Sequence, residues 1–178
     1  MSVDTRWLTP EQLAAWVRLA AVLELLPATL DSQLRRDAQL THFDYYVLAM
    51  LSEAPDHTLR MTALAERTTA TLARLSHVVQ RLEGRGLLER FPCPQDRRAT
   101  NARLTEAGWQ KVRDSAPGHV AIVRDAVIDA LTPGQIGQLA AITDAILHRL
   151  DPDGSKAAIY HRYEAPPSPP APGASVQP

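Results

Sequence analysis

Residues 59–105 read LRMTALAERTTATLARLSHVVQRLEGRGLLERFPCPQDRRATNARLT, and the pattern of this stretch decides the fold. Met61, Leu64 and Ala65 fall at helical spacing in a short segment ending at Thr68. After a Thr/Ala-rich turn at Thr68 to Thr71, Leu72, Leu75, Val79 and Leu82 make one apolar stripe, so a second helix follows the first. Arg74, Ser76, His77, Gln80 and Arg81 fall on its opposite face, and Gly84 and Gly86 stop it, since glycine accepts the left-handed conformation of a helix cap. Thr58 to Met61 is compatible with a short strand. Leu87 to Phe91 reads as a second strand, Pro92 to Arg98 as a hairpin tip and Ala99 to Leu104 as the returning strand. Two short helices followed by an arginine-tipped hairpin form a winged helix-turn-helix, a shape that implies DNA reading.

The side chains suit that use. Arg74, His77 and Gln80 combine donors and acceptors able to meet base edges in the major groove, while the Thr71 and Ser76 hydroxyls can bond phosphate oxygens. Arg97 and Arg98 suit the narrow minor groove, whose negative potential attracts guanidinium groups. Asp96 beside them reads as a turn residue that holds an arginine in place, because aspartate bonds its own backbone and pairs with guanidinium. The chain carries −1 overall, yet Arg60 to Arg103 holds nine arginines against Glu66, Glu83, Glu89 and Asp96, a local +5 that leaves −6 on the remainder. A basic patch on an acidic body is the electrostatic footprint of a specific reader.

Around this head the 178 residues suit one mainly α domain with a small β-hairpin wing. Leu-Thr dipeptides mark helix starts: LTPEQL at Leu8 and LTPGQI at Leu131 place Thr as N-cap, Pro at the first helical position and Gln for a capping box, with looser versions at Leu40 and Leu104. They predict helices over 10–35, 42–53, 106–131 and 133–150, six with the two short ones. Pro27 and the Pro117-Gly118 pair are expected to kink or break theirs. Stripes at Leu13, Trp16, Ala20, Leu23, Leu30 and Leu34, and at Ile136, Leu139, Ile142, Ile146 and Leu150, are too apolar for a small domain and call for a partner chain. A homodimer would match two heads to a palindrome with half-sites roughly 34 Å apart. The division is therefore 8–40 and 106–150 as a helical dimerisation region, 41–105 as the DNA-binding lobe and 163–178 as a Pro-rich tail unable to bury a core. With no apolar run judged long enough to span a bilayer and no signal sequence, a cytoplasmic location and no membrane partner are expected.

LRMTALAERT, SHVVQRLEGRGLLER, DRRATNARLTEAG, APGHVAIVRDAVIDAL and LTPGQIGQL resemble the MarR family of bacterial transcriptional regulators over about residues 8–150. The resemblance implies interlocked terminal helices in a dimer, groove contacts from Thr71, Arg74, Ser76, His77 and Gln80, a wing contact from Arg98 and a positioning role for Asp96. Asn101 and Ala102 stand where larger apolar residues are usual, which predicts a short or mobile wing. It also implies a small aromatic effector where the dimer helices meet the lobe, with Trp16, Arg35, His42, Tyr45 and Tyr46 as lining, and hence a ligand-responsive repressor of a palindromic operator. Zinc-sensing relatives cluster His and Glu. Here only Glu24 and His42 are candidates, no histidines stand four apart, and His57, His77, His119, His148 and His161 read as solitary. Peroxide-sensing relatives carry a reactive cysteine near the N-terminus, whereas the single Cys93 lies between two prolines of the wing and reads as an exposed thiol. No metal and no cofactor are expected.

An enzyme is disfavoured: there is no G-x-S-x-G, no phosphate-cradling glycine loop and no H-E-x-x-H. The remaining rivals are a zinc- or redox-sensing regulator, and a winged helix that serves as a protein-interaction module without DNA. The retained Arg74, Arg97 and Arg98 count against the second.

Overall fold

A computed structural model describes residues 5–94 and 96–162. All four Leu-Thr dipeptides cap helices. Thr9, Thr41 and Thr132 each close a reciprocal capping box with the residue three places on, starting α1 (Pro10–Ala38), α2 (His42–Ser52) and α6 (Pro133–Leu150). Thr105 accepts the Gly108 N–H to start α5 (Glu106–Val123). Between them lie β1 (Thr58–Arg60), α3 (Met61–Arg67), α4 (Leu72–Gly84), β2 (Leu88–Cys93) and β3 (Asp96–Leu104), and a short α7 (Ala157–Tyr160) follows α6. α4 closes with two bonds, Gly86 N–H to Glu83 and Leu87 N–H to Leu82, with Gly86 at φ 70° as the left-handed residue.

Neither proline breaks its helix. α1 runs through Pro27 and α5 through Pro117, since each proline removes one ladder bond and the flanking turns hold the rest. The irregularity comes later, where α5 gives way to a π-helical turn, Arg124–Ile128, instead of continuing to residue 131. The wing is longer than the sequence predicts. β3 is the central strand of an antiparallel sheet ordered β1-β3-β2, so Arg97 and Arg98 belong to a strand and the tip shrinks to the residues between Cys93 and Asp96. Pro92 is tolerated because β2 is an edge strand, and a register shift follows it. Ala102 is fully buried, and Asn101 pairs across to both Arg60 and Phe91, so these two residues do not shorten the wing.

The core lies in the lobe, where Leu34 and Leu40 meet Leu48 and Leu51 of α2, Leu64 of α3, Leu75, Val79 and Leu82 of α4, and Leu88 of β2. On α4 the buried set includes Val78 and omits Leu72, which is exposed at the start of the helix. Outside the lobe burial is sparse: α1 buries only Leu30, Gln33, Leu34 and Ala38, α5 only Gly108, Val112 and Ser115, and α6 nothing. Contrary to the expectation from sequence, α1 is long and apolar enough to cross a membrane by length and composition, with an 18-residue window of mean hydropathy 1.6. The Pro-rich tail from residue 163 lies outside the described residues.

Candidate nucleic-acid interface

The exposed side of α4 carries His77 and Gln80 at its centre. Thr71 is the N-cap, its hydroxyl accepting the Arg74 N–H at 3.2 Å. Ser76 is half-buried in a cleft of about 220 Å³ between α3, α4 and the wing, which it shares with Arg60, Arg98 and Thr100. Arg74 lies on the flank facing α2, its guanidinium 4.3 Å from the centroid of the Phe43 ring, a cation–π stack that orients it. Asp96 holds the start of β3 through the Arg98 backbone N–H, which donates to its carboxylate at 3.0 Å. This turn positions the Arg98 backbone.

Several of the nine arginines are structural. Arg81 pairs with Asp44, a buried carboxylate that also accepts the Thr41 N–H at 3.0 Å and was not singled out by sequence. Arg103 reaches Glu89 across the wing, while Arg90 of β2 reaches back to Glu83 of α4 and its guanidinium holds the Glu83 carboxyl below its usual range. Arg85 donates to the Gln39 carbonyl at 3.0 Å. Of the arginines outside these pairs, Arg74 and Arg98 are exposed, and Arg60 donates to the Cys93 sulfur at 3.4 Å. Cys93 itself is buried, against the expectation of an exposed thiol, because the bulged end of β2 turns it inward.

The five residues named for an effector do not gather in one place. Arg35 pairs with Asp31 and lines an open pocket of about 470 Å³ with Thr41, Asp44, Arg81 and Arg85. Trp16 is exposed far up α1, and the Tyr46 hydroxyl donates to the Arg67 carbonyl at 3.1 Å. His42 and Tyr45 instead meet His119 of α5, with ring centroids 6.0 and 4.6 Å apart. So His119 is not solitary, and neither is His57, which stacks on Trp109 at 4.8 Å. Among the described residues no group of three or more His, Cys, Asp or Glu could hold a metal.

Burial pushes both imidazoles down: His42 despite the Asp31 carboxylate, which favours its cation, and His119 with added repulsion from His42. His119 Nδ1 is buried without a hydrogen-bond partner among the described residues. The folded-state pKa values therefore lie below the unfolded value of about 6.5. As pH falls the unfolded chain takes up these protons first, so this contribution is fully present above about 6.5 and is lost progressively below it. Asp31, lowered by Arg35 and by the His42 N–H, adds a loss of the same sign, but only in the carboxylate range further down. The urea midpoint is expected to fall between pH 7.5 and 5.5, and His119→Gln should flatten that fall. An unchanged slope in the variant would reject the assignment.

A helix-turn-helix with a three-stranded wing, set beside long helices that bury little of their own, defines the winged-helix regulators. A model of the MarR family matches residues 40–100. The structure of Sco3205, a MarR family transcriptional regulator from Streptomyces coelicolor in complex with DNA, is 43% identical, covers 84% of this chain and 93% of its own, and superposes with a TM-score of 0.79. AbsC, another MarR family regulator of that organism, is 39% identical over 82% of this chain and 98% of its own, with a TM-score of 0.78. Among curated proteins, the HTH-type transcriptional repressor YetL of Bacillus subtilis is 27% identical over 109 residues, which is 56% of this chain and 65% of YetL, just under two thirds of that relative's length. The chain belongs to the MarR family. It is a transcriptional regulator and not an enzyme.

Proposed function

We propose that the chain binds duplex DNA as a homodimer, reading a palindromic operator with His77, Gln80 and Arg74 in the major groove, Thr71 and Ser76 on phosphates, and the wing, through Arg98 and Arg97, in the minor groove. The observation that carries this reading is the shared cleft that sets Ser76 of α4 beside Arg98 of the wing, held in turn by Asp96. It joins the two elements a winged helix uses on DNA. Support comes from the likeness to Sco3205, whose structure is a DNA complex. We assign the apolar faces of α1 and α6 to a second copy, which accounts for the hydropathy of α1 without a bilayer. Repression in response to a small aromatic effector is the output we favour, with the Arg35 pocket and the His42–His119 junction as the two places where such a ligand would meet both α1 and the lobe.

The test is a gel shift on the upstream region of its own gene across 50–200 mM salt, where counterion release requires a steep loss of affinity. Binding indifferent to salt would reject it. Within the wing, Arg98→Ala is expected to weaken binding by about 1–3 kcal/mol. Asp96→Ala removes a negative charge close to DNA yet frees the Arg98 backbone from its turn. Surface repulsion is screened over about 10 Å at 0.1 M salt, whereas a misplaced arginine loses its contact, so Asp96→Ala should also bind less tightly. Tighter binding by that variant would overturn the positioning role.

A further inference from the structure

The chain folds back after α6. Asp151 is buried and accepts the Ser155 hydroxyl at 2.9 Å, the Lys156 backbone N–H at 2.8 Å and the Tyr160 hydroxyl at 2.9 Å, so one carboxylate gathers the whole turn. The segment is then pinned to the lobe: Arg162 pairs with Glu53 at the end of α2 at 3.3 Å and donates to the Met50 sulfur at 3.5 Å. These contacts bring Lys156, exposed, to the wall of a cleft of about 430 Å³ whose other side is the α3–α4 turn, with Thr62, Glu66, Thr69 and Thr71. Thr62 and Leu72 line this cleft and also the wing-side cleft that holds Ser76 and Arg98. The start of α4 therefore has a cationic strand on one side and a lysine carried by the C-terminal segment on the other.

Sequence pattern gave this segment no role, because what places Lys156 is a carboxylate hub and an ion pair to a residue far back in the chain. A lysine ammonium is a compact point charge suited to a phosphate oxygen, and threonine hydroxyls are ordinary phosphate donors. Glu66 disfavours a small free anion held deep in the cleft, while a phosphodiester passing over the rim would meet Lys156 first. We propose that residues 151–162 form a second arm of the DNA interface, with Lys156 contacting a backbone phosphate on the side of α4 away from the wing. The inference rests on the DNA-binding reading above.

The experiment is fluorescence anisotropy with the full chain, a duplex of its own upstream region and a random duplex, from 50 to 200 mM salt. Losing one phosphate contact should reduce the slope of log K against log salt by about 0.9, so Lys156→Gln should reduce it by about 1.8 if both copies of a dimer engage. Both duplexes should be affected alike, since a phosphate contact reads no sequence. Lys156→Arg should restore the slope. Asp151→Asn combined with Tyr160→Phe should release the arm and reproduce the loss, and adding Lys156→Gln to that pair should change nothing further. A Lys156→Gln slope equal to that of the wild type overturns the arm while leaving the DNA-binding reading intact. A wild type without salt-dependent binding overturns both. Inorganic phosphate that quenches binding through Lys156 while the DNA slope stays unchanged would mark a free-anion site and also overturn the arm.

Discussion

A chain carrying glutamate at both Leu139 and Ile142 is expected to sediment as a monomer at micromolar concentration and to lose operator binding, while its lobe stays folded. α6 buries none of its residues within one chain, yet Ile136, Leu139, Ile142 and Ile146 form one continuous apolar face, with Ile142 58% exposed. On α1, Leu13, Trp16, Val17 and Leu23 are likewise at least half exposed. Fully burying one such side chain stabilises by about 1.5–3 kcal/mol, so a symmetric interface built from these faces supplies many kcal/mol. An unpaired carboxylate forced into it costs several kcal/mol, and each substitution enters a twofold interface twice. Dimerisation should weaken at least about a thousandfold, roughly 4 kcal/mol. The core cluster of the lobe contains no α6 residue, so its helical signal and its thermal transition should persist. A wild type that is monomeric, or a double variant that stays dimeric, would reject the assignment of this face.

What the sequence made legible was local. Each Leu-Thr dipeptide caps a helix because the signal needs only four consecutive residues, and Thr41 with Asp44 even closes a box more complete than its loose motif suggested. The exposed position of His77 and Gln80 follows from helical period alone. The errors lie where distant strands or helices decide. The sequence predicts a hairpin with a long tip, but β2 and β3 stay paired through Pro92 and Thr100 and, past a register shift, Cys93 and Asp96, so β3 spans Asp96 to Leu104. The strand-compatible stretch at Thr58 joins as β1, pairing with Asn101, Ala102 and Arg103. Val78 replaced Leu72 in the core because packing against α3 and β2, not hydrophobicity, selects the buried arc of α4.

The same limit explains the candidate site. Phe43 under Arg74, Asp44 beside Arg81, and His119 against His42 each join residues 31 to 77 positions apart, and no periodicity links them. Charge counting could not separate arginines that brace the lobe, such as Arg81 and Arg90, from those turned outward. Asp96 was legible because its partner, the Arg98 N–H, is two residues away.

Gly108→Ala is expected to be among the most damaging single substitutions, at a position that sequence reading passed over. A Cβ built there would lie 1.9 Å from the Leu87 carbonyl oxygen and 2.9 Å from both the Leu87 carbonyl carbon and a Leu104 methyl. Two of those atoms are backbone, so no rotamer change relieves the clash. The Leu87 carbonyl also accepts the Thr105 N–H, and the Thr105 hydroxyl accepts the Gly108 N–H at 3.0 Å while donating to the Gly86 carbonyl at 2.7 Å. Gly108 thus sits where the end of α4, the foot of the wing and the first turn of α5 are tied together. Overpacking of this kind costs on the order of 3 kcal/mol, which at this chain length lowers Tm by roughly 6–12 °C. Because α5 carries on from this knot along α1, with which it packs, the strain should appear in both units. The variant is expected to melt earlier, and at temperatures where it remains folded to bind DNA less tightly, since the wing is displaced from α4. A Tm within 2 °C of the wild type would show that β2 and α5 separate freely, and that the close approach at Gly108 does not set the angle of the wing.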